Sequence, residues 1–409
     1  MATDLKDTAH PVDAAALMAL LPTRPRLLAV GEPTHGEDAL LHLRNDLFRQ
    51  LVEQEGYRTI ALETDCLAGL TVDAYVTSAT GTLDTAMDHG FSHGWGACEA
   101  NRDLVRWMRT HNENRPPSLQ VRFAGFDGPL ETAGAASPRQ ALTALHTHLA
   151  AHLDARLLPC TATALDDLLG PDDRWSDPAA MYDPAASAGR TPRAARLRAL
   201  AEDLTALLDE HTPHLIAATS PEDWHRARLY ARTATGLLRY HHLMADTTAT
   251  TPERLTLLLA ARDRIMAHNL LALAARGPVL AHAHNSHLQR EKSTTRMGGA
   301  PLHWWSAGAL AAAHLGQDYA FAATALGTIT HRAVDTPPAG TLEALLSTLP
   351  QDHSLIDPRA LAAHLAPDPP APRTSPWFGY APLDPAHLDG TDALLFVRDV
   401  PRRPAPPAT

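Results

Sequence analysis

The sequence is poor in cysteine and lysine. Its three cysteines, Cys66, Cys98 and Cys160, lie far apart in the chain, which fits neither a disulfide framework nor a zinc knuckle. Among the 35 Lys and Arg residues only Lys6 and Lys292 are lysines, and the arginines are scattered singly in a chain of net charge -11. Because phosphate binding needs a clustered basic surface, we expect no nucleic-acid partner.

The chain also lacks the segments that direct a protein to a membrane. No apolar run approaches the ~18 residues that a membrane-spanning helix needs. The N-terminal segment carries Asp4 and Asp7 and has no basic stretch of the kind that begins a signal peptide. We therefore expect a cytoplasmic protein that meets no membrane and whose partner is a small-molecule substrate.

Several signatures of cofactor and metal sites are missing as well. There is no G-x-G-x-x-G and no Walker A sequence, so the phosphate loops of dinucleotide and nucleotide sites are absent. The zinc-binding HExxH pair is also absent. We expect neither a cofactor nor a resident metal, and neither a serine nor a cysteine nucleophile.

Short apolar segments alternate with helical patterns at both ends of the chain. The segments that predict strands are 26–31, 57–63, 119–127, 277–283, 319–325 and 393–397. Strands separated by helices predict an α/β fold with a mostly parallel central sheet flanked by helices. Segments 36–55, 68–79 and 99–113 are predicted to be the first of these helices.

The middle of the chain has no strand pattern. Leucines such as Leu197, Leu200 and Leu204 follow helical spacing there. We therefore expect a large helical insertion that forms one wall of the active-site cleft. The predicted parts are 1–137, 138–275 and 276–409, the first and last forming the α/β core and the last ending in a Pro-rich tail.

Polar residues follow the first predicted strand in segment 31–37, which reads GEPTHGE. Thr34 and Glu37 are spaced as a capping box, which places His35 in the first turn of the next helix. Glu32 and His35 would then lie at the carboxyl edge of the sheet, where ligands bind in open α/β folds. The alternative is an ordinary strand-to-helix turn with His35 on the surface.

A charged residue interrupts the apolar face of that helix. Arg44 falls between Leu40, Leu47 and Leu51 at 100° per residue, so a buried guanidinium would need a carboxylate such as Glu32 or Glu63. Glu63 ends the second predicted strand and would reach the same sheet edge. Snorkelling of Arg44 to the surface, or a capping role for the carboxylate, are the alternatives.

Histidines cluster after the fourth predicted strand, in segment 281–287 (AHAHNSH). His282, His284 and His287 allow a metal site, since imidazole is a common zinc ligand, but their spacing matches no standard ligand pattern. Polar catalysis by these side chains and a purely structural role are the other two interpretations.

Taken in order, these segments resemble the erythromycin esterase family, whose members open macrolide lactones with an activated water. The resemblance spans roughly residues 25–330. It rests on segment 31–36 with Arg44 nine residues after His35, on 61–63, on Trp95 and Glu99, and on 126–127, 262–269, 283–287 and 297–298.

The resemblance implies that His35 is the general base. It also implies a catalytic set completed by Glu32, Arg44, Glu63, His284 and His287. Four further residues are expected to bind substrate: Trp95, Asp127, His268 and Asn285.

The resulting expectation is a metal-independent hydrolase in which a neutral histidine, near its ordinary pKa of ~6.5, activates water to attack an ester or lactone. The substrate would be a natural-product-like small molecule. Two alternatives remain open at this point. One is a metal-dependent hydrolase built on the strand-end histidines, and the other is a biosynthetic cyclase or transferase on the same fold.

Overall fold

The protein is described by a computed structural model that covers residues 8–131, 134–297, 299–366, 370–375, 377 and 379–401. Gly298 and most of the predicted Pro-rich tail lie outside these ranges. Among the described residues, no helix combines the length and the apolar character needed to cross a membrane.

The strands are short and mostly buried. In chain order they are β1 (Ala9–His10), β2 (Leu27–Glu32), β3 (Thr59–Asp65), β4 (Arg122–Asp127), β5 (Leu130–Glu131), β6 (Gly134–Ala135), β7 (Val279–His284), β8 (Lys292–Met297), β9 (Ala300–Trp305), β10 (Tyr319–Thr328), β11 (His353–Ile356) and β12 (Ala393–Asp399). Each of the six predicted strands is present within a few residues of its expected ends.

The central sheet has the order β1-β11-β12-β10-β2-β7-β3-β4. Neighbours from β12 to β4 are parallel, whereas β1 and β11 form an antiparallel edge. Separate hairpins are formed by β5 with β6 and by β8 with β9. The predicted α/β fold with a mostly parallel sheet is therefore confirmed.

Helices cover the sheet and fill the middle of the chain. They are α1 (Ala14–Leu20), α2 (Asp38–Gln54), α3 (Gly69–Ser78), α4 (Leu83–His89), α5 (Glu99–Asn112), α6 (Arg139–His152), α7 (Ala162–Leu169), α8 (Pro192–Glu210), α9 (Thr212–Ala218), α10 (Pro221–Met244), α11 (Thr251–Ala274), α12 (Asn285–Leu288), α13 (Ala307–Leu315), α14 (Leu342–Leu346) and α15 (Pro358–Leu365).

Two apolar cores lie on opposite faces of the sheet because successive strand residues point to opposite sides. Leu27 and Ala29 of β2 face one core, which also contains residues of α11 and α13. Leu28 and Val30 face the other, together with residues of α2, α3 and α5. Burial on both faces explains why these strands are continuous apolar runs.

The segment 138–275, all of which the structure describes, contains helices α6 to α11 and no strand, as predicted. Residues of α6, α7, α8 and α10 form a third core, which also contains Cys66 and Leu67 after β3. Helix α11 differs, because Met266 and Leu270 pack into a core of the sheet. It thereby connects the helical segment to the sheet edge. The division of the chain into three parts stays a prediction.

Candidate active site

The parallel strands bring polar residues to one edge of the sheet. Glu32 and His284 are register partners at the ends of β2 and β7, and His282 lies opposite Val30. The pairing of β3 with β4 shifts between Leu62 and Asp65. Glu63 falls in this irregularity, and such bulges commonly redirect side chains beside functional sites.

His35 lies in the loop between β2 and α2, so its predicted place in the first helical turn is wrong. Gly36 adopts a positive φ of 77°, and α2 begins only at Asp38 with Glu37 as its N-cap. Glu37 cannot complete the predicted capping box because its carboxylate binds His331 and Arg332 instead. In this loop the side chain of His35 lies against the carboxyl ends of β2 and β3.

His35 is the solvent-facing part of a buried charge network. Its Nδ1 lies 2.7 Å from Glu32 Oε1, and its Nε2 lies 3.9 Å from Glu63 Oε2. Its side chain is 36% exposed, whereas those of Glu32 and Glu63 are 5% and 2% exposed. Its ring centroid is 5.0 Å from that of Trp95 and 5.3 Å from that of His284.

The charge of His35 differs from the sequence-based expectation. Burial lowers its pKa, but Glu63 and then Glu32 outweigh that effect and raise the pKa to about 9. The expected pKa near 6.5 is therefore wrong, because both neighbouring carboxylates stabilise the imidazolium. His284 behaves in the opposite way, since burial and the cation on His35 lower its pKa to about 3.

Glu63 lies at the centre of the network. Its Oε1 accepts a 2.9 Å hydrogen bond from Arg262 Nη2, and its Oε2 accepts one of 2.8 Å from the backbone N–H of His284. Burial opposes ionisation, but His287, His35 and Arg262 together hold the pKa of Glu63 well below its usual range. Glu63 is therefore a permanent anion that fixes the groups around it.

A second carboxylate–histidine pair lies behind Glu63. His287 Nδ1 lies 2.5 Å from Asp263 Oδ1, and His287 Nε2 lies 3.4 Å from Glu63 Oε1. Trp304 of the β8–β9 hairpin donates its indole N–H to Asp263. Burial lowers the pKa of His287, but the carboxylates of Asp263 and Glu63 have the larger combined effect, so its pKa lies above the ordinary histidine value.

Sequence reasoning did not select Arg262, Asp263 or Trp304 as site residues. Arg262 also binds Asp127, with Nη2 2.7 Å from Oδ2, so one guanidinium joins two buried carboxylates. Arg262 and Asp263 lie in segment 262–269, which is part of the family resemblance. From this segment only His268 is predicted as a site residue. Nothing comparable marked Trp304.

The expected substrate-binding residues separate into two groups. Trp95 and Asp127 lie beside the network, and His93 connects them, with its ring 5.2 Å from Trp95 and its Nε2 3.6 Å from Asp127 Oδ2. His268 is exposed on α11, near Arg264 rather than near His35, so the structure does not bring it to the site.

Asn285 is the buried first residue of α12, and its amide binds the backbone of β10. Its Nδ2 donates to the carbonyl of Thr324, and its Oδ1 accepts from the N–H of the same residue. A Cβ at Gly31 would lie only 2.1 Å from that Oδ1, so this position requires glycine. Asn285 therefore fixes the position of α12 relative to β2 and β10 and does not face the candidate active site as a substrate-binding group would.

Arg44 is buried, as predicted, but its predicted partner is wrong. Its guanidinium donates to the amide oxygens of Asn45 and Asn101, with the two Nη2 distances 2.7 and 2.9 Å. No carboxylate of the described chain forms a salt bridge with it. Burial lowers its pKa to about 10, and the charge persists at neutral pH.

Arg44 lines a narrow crevice together with Glu32, Glu63 and His282. The crevice has room for a water molecule but not for a bulky ligand. Glu32 Oε2 faces His282 Nε2 at 3.7 Å and has no hydrogen-bond partner in the described structure. Burial, with the cations on Arg44 and His35, holds the pKa of His282 well below 6.5.

The strand-end histidines are distributed among different carboxylates, with His282 beside Glu32 and His287 beside Asp263. Across the described ranges, no three His, Cys, Asp or Glu side chains form a group able to hold a metal ion.

The sequence also contains a G-x-S-x-G pattern, at 90–94, which the expectation of no serine nucleophile did not take into account. In a nucleophile elbow the serine follows a strand. Ser92 instead follows α4, and its hydroxyl accepts the N–H of Asp65 and contacts Thr64 Oγ1 at 3.1 Å. The serine hydroxyl is thus engaged in joining the end of β3 to this loop.

Comparison with known proteins agrees with this architecture. The erythromycin esterase family model matches residues 52–400. A Bacillus cereus protein of known structure is similar at a TM-score of 0.71 and 17% identity, over 97% of this chain and 96% of that one. A succinoglycan biosynthesis protein is similar at 0.68 and 16% identity, over 97% and 95% of the two chains.

The erythromycin esterase EreC, as a histidine-to-asparagine variant in its open conformation, is similar at a TM-score of 0.66 and 17% identity, over 94% of this chain and 92% of that one. At such identities the likeness of these structures shows the fold alone. The family model matches most of the chain and confirms the resemblance carried by the sequence segments. This protein belongs to the erythromycin esterase family.

Proposed function

We propose that this protein hydrolyses an ester or lactone of a natural-product-like small molecule with a water activated by His35. Membership of the family supports a hydrolase of the erythromycin esterase type. The observation that carries the finer proposal is the position of His35, which is held by Glu32 at 2.7 Å and is the exposed end of a buried charge network.

In this reaction the Nδ1–H of neutral His35 donates a hydrogen bond to Glu32 and keeps its proton. The unprotonated Nε2 is the base. The 3.9 Å gap between that Nε2 and Glu63 Oε2 suits a water that hydrogen-bonds to both. The water oxygen attacks the acyl carbon as its proton passes to Nε2. The same proton then passes to the departing alkoxide, which yields a carboxylic acid and an alcohol.

The attack places negative charge on the carbonyl oxygen. Arg44 is the candidate stabiliser, because its buried guanidinium lines the crevice beside Glu32 and Glu63. A preorganised donor of this kind typically contributes ~3 to 4 kcal/mol. Because the crevice admits little more than water, the body of the substrate would lie outside it, against Trp95 and the exposed face of His35.

The reaction is expected to accelerate with rising pH. Only neutral His35 accepts a proton, and its pKa is raised to about 9, so kcat/KM should increase from pH 7 and level off above about pH 9. Glu32→Gln removes one of the charges that raise this pKa and should shift the profile to lower pH. A kcat/KM that falls over this interval would make the imidazolium the active form, and a constant kcat/KM would show that His35 is not the base.

Chelators are expected to leave the activity unchanged. The charge of Glu63 is paired with the Arg262 guanidinium at 2.9 Å, and within the described ranges no three His, Cys, Asp or Glu side chains form a group able to hold a metal ion. Turnover should therefore be the same before and after prolonged dialysis against EDTA, in protein prepared without a His tag. Activity that is lost with EDTA and restored by zinc would support a metal-dependent hydrolase in place of this proposal.

The test of function is a screen of lactones, esters and amides with the purified protein, followed by mass spectrometry. The expected product is heavier than its substrate by one water and appears only for acyl compounds with an oxygen leaving group. A product of unchanged mass, or one that carries a transferred group, would show a cyclase or transferase and overturn hydrolysis.

A further inference from the structure

A large groove lies outside the candidate active site, between α8, α10 and α11. Its volume is about 740 Å³, much larger than the crevice beside His35. Leu257 of α11, which is 39% exposed, and the exposed Ala195 and Ala199 of α8 line it, together with the buried Leu238 and Leu243 of α10. The groove thus presents apolar surface that no described segment of the chain covers.

Helix α11 separates this groove from the active site. Arg262 binds Glu63 on one side of the helix, whereas Arg264 lines the groove. Positions two residues apart differ by about 200° around a helix, so the side chains of Arg262 and Arg264 lie on nearly opposite faces of α11. A ligand in the groove would therefore not occupy the space in front of His35.

Arginines line the groove on all of its helices. They are Arg198 of α8, Arg239 of α10 and Arg264 of α11, and none is paired with a carboxylate in the described part of the chain. Glu202 is the acidic residue of the lining. The groove is therefore cationic in a protein whose net charge is -11.

Two of these cations lie on helices that pack against each other. Arg198 of α8 and Arg239 of α10 both line the groove, and neither is paired with a carboxylate in the described part of the chain. Two unpaired guanidinium groups on one surface are suited to a carboxylate, which accepts bidentate hydrogen bonds.

We propose that this groove binds an amphipathic organic anion, a carboxylate with an alkyl body. The carboxylate would lie between Arg198 and Arg239, and the alkyl chain would cover Leu257, Ala195 and Ala199. The lining of α11 from Leu257 to Arg264 is about 10 Å long at 1.5 Å per residue, which accommodates a medium-length chain. This site is additional to the proposed hydrolytic site and does not depend on it.

The test is calorimetric titration with decanoate, kept below the concentration at which it forms micelles. Wild-type protein is expected to bind decanoate and to bind it more weakly as salt increases. Decanol, which has the same chain without the charge, should bind at least tenfold more weakly. The Arg198→Gln/Arg239→Gln variant should lose at least tenfold in decanoate affinity, since each charge-assisted hydrogen bond contributes about that factor.

Matched variants exclude general charge effects. Arg193→Gln/Arg196→Gln removes two exposed arginines of α8 outside the groove and should leave decanoate affinity within twofold of wild type. Leu257→Asp should weaken decanoate binding, because it replaces an exposed apolar side chain of the groove with a negative charge. His35→Gln should bind decanoate as wild type does, which separates this groove from the active site.

The proposal is overturned by any of three results. They are no binding of decanoate by folded wild-type protein, equal affinity for decanol, and an equal loss in the Arg193→Gln/Arg196→Gln variant. Circular dichroism of each variant establishes that a loss of binding is not a loss of fold.

Discussion

Replacing His35 with glutamine is expected to lower kcat/KM by about 10²- to 10⁴-fold, the usual contribution of a general base. Glutamine keeps a side chain that can donate to Glu32 but has no group that accepts a proton near neutral pH. The measurement is ester hydrolysis by wild type and His35→Gln with the substrate identified by the screen.

The fold should tolerate this change. His35 is 36% exposed and lies in a loop, so it contributes little packing, and above about pH 9, where its imidazole is neutral, the thermal unfolding midpoint should stay close to that of wild type. His303→Gln, at an exposed position on β9, is the matched control and should keep full activity. Comparable turnover in His35→Gln and wild type would remove His35 from the mechanism.

His35 also links activity to stability. Its pKa in the folded protein is raised above the unfolded value, so its contribution to stability is complete below about pH 6.5 and is lost as pH rises through about 9. Activity is expected to increase over the same interval, because the neutral form is the base. The rise in turnover with pH should therefore coincide with a decrease in thermal stability.

Arg262→Met is expected to cost about 3 to 5 kcal/mol in the free energy of unfolding, the range observed when one partner of a buried ion pair is removed. Arg262 binds Glu63 at 2.9 Å and Asp127 at 2.7 Å, and these carboxylates are 2% and 0% exposed. Methionine fills part of the volume but leaves two buried anions without the guanidinium that joins them. Urea unfolding at pH 7 measures the loss.

The pH dependence of this loss distinguishes charge from packing. The pKa values of Glu63 and Asp127 are lowered in the folded protein, so their contribution to stability is present at pH 7 and decreases as pH falls below about 4. The difference between Arg262→Met and wild type should therefore shrink toward pH 4. A difference independent of pH would assign the loss to packing alone.

Arg106→Met provides the control for the same chemical change. Arg106 also contacts two carboxylates, those of Glu99 and Asp103 at 3.0 and 2.9 Å, but its side chain is 49% exposed. Exposed ion pairs contribute about 0 to 1 kcal/mol, so this variant should be nearly as stable as wild type.

Much of the candidate site could be predicted because it follows from local pattern and one rule of sheet geometry. Glu32, Glu63 and His284 each follow a mostly apolar strand segment, and parallel strands bring such ends to a common edge. The start of α2 could not be predicted as easily. The Thr34–Glu37 spacing suggested a capping box, but His331 and Arg332, almost 300 residues away, hold Glu37.

The partners of buried charges were the least predictable feature. Arg44 was expected to bind a carboxylate, yet the packing of α5 against α2 places Asn101 beside it. Arg262 joins Glu63 to Asp127 because α11 packs over the ends of β3 and β4. Helical periodicity identifies a buried face but does not identify the atoms that the face meets.

The element order, the parallel sheet and the family could be read from the amino acids alone, because apolar periodicity and short motifs are local properties of the chain. The network of His35, Glu63 and Arg262 and the raised pKa of His35 follow from the three-dimensional fold. These depend on charges that are distant in sequence and meet in a buried environment, where Coulomb interactions are strong enough to reset protonation.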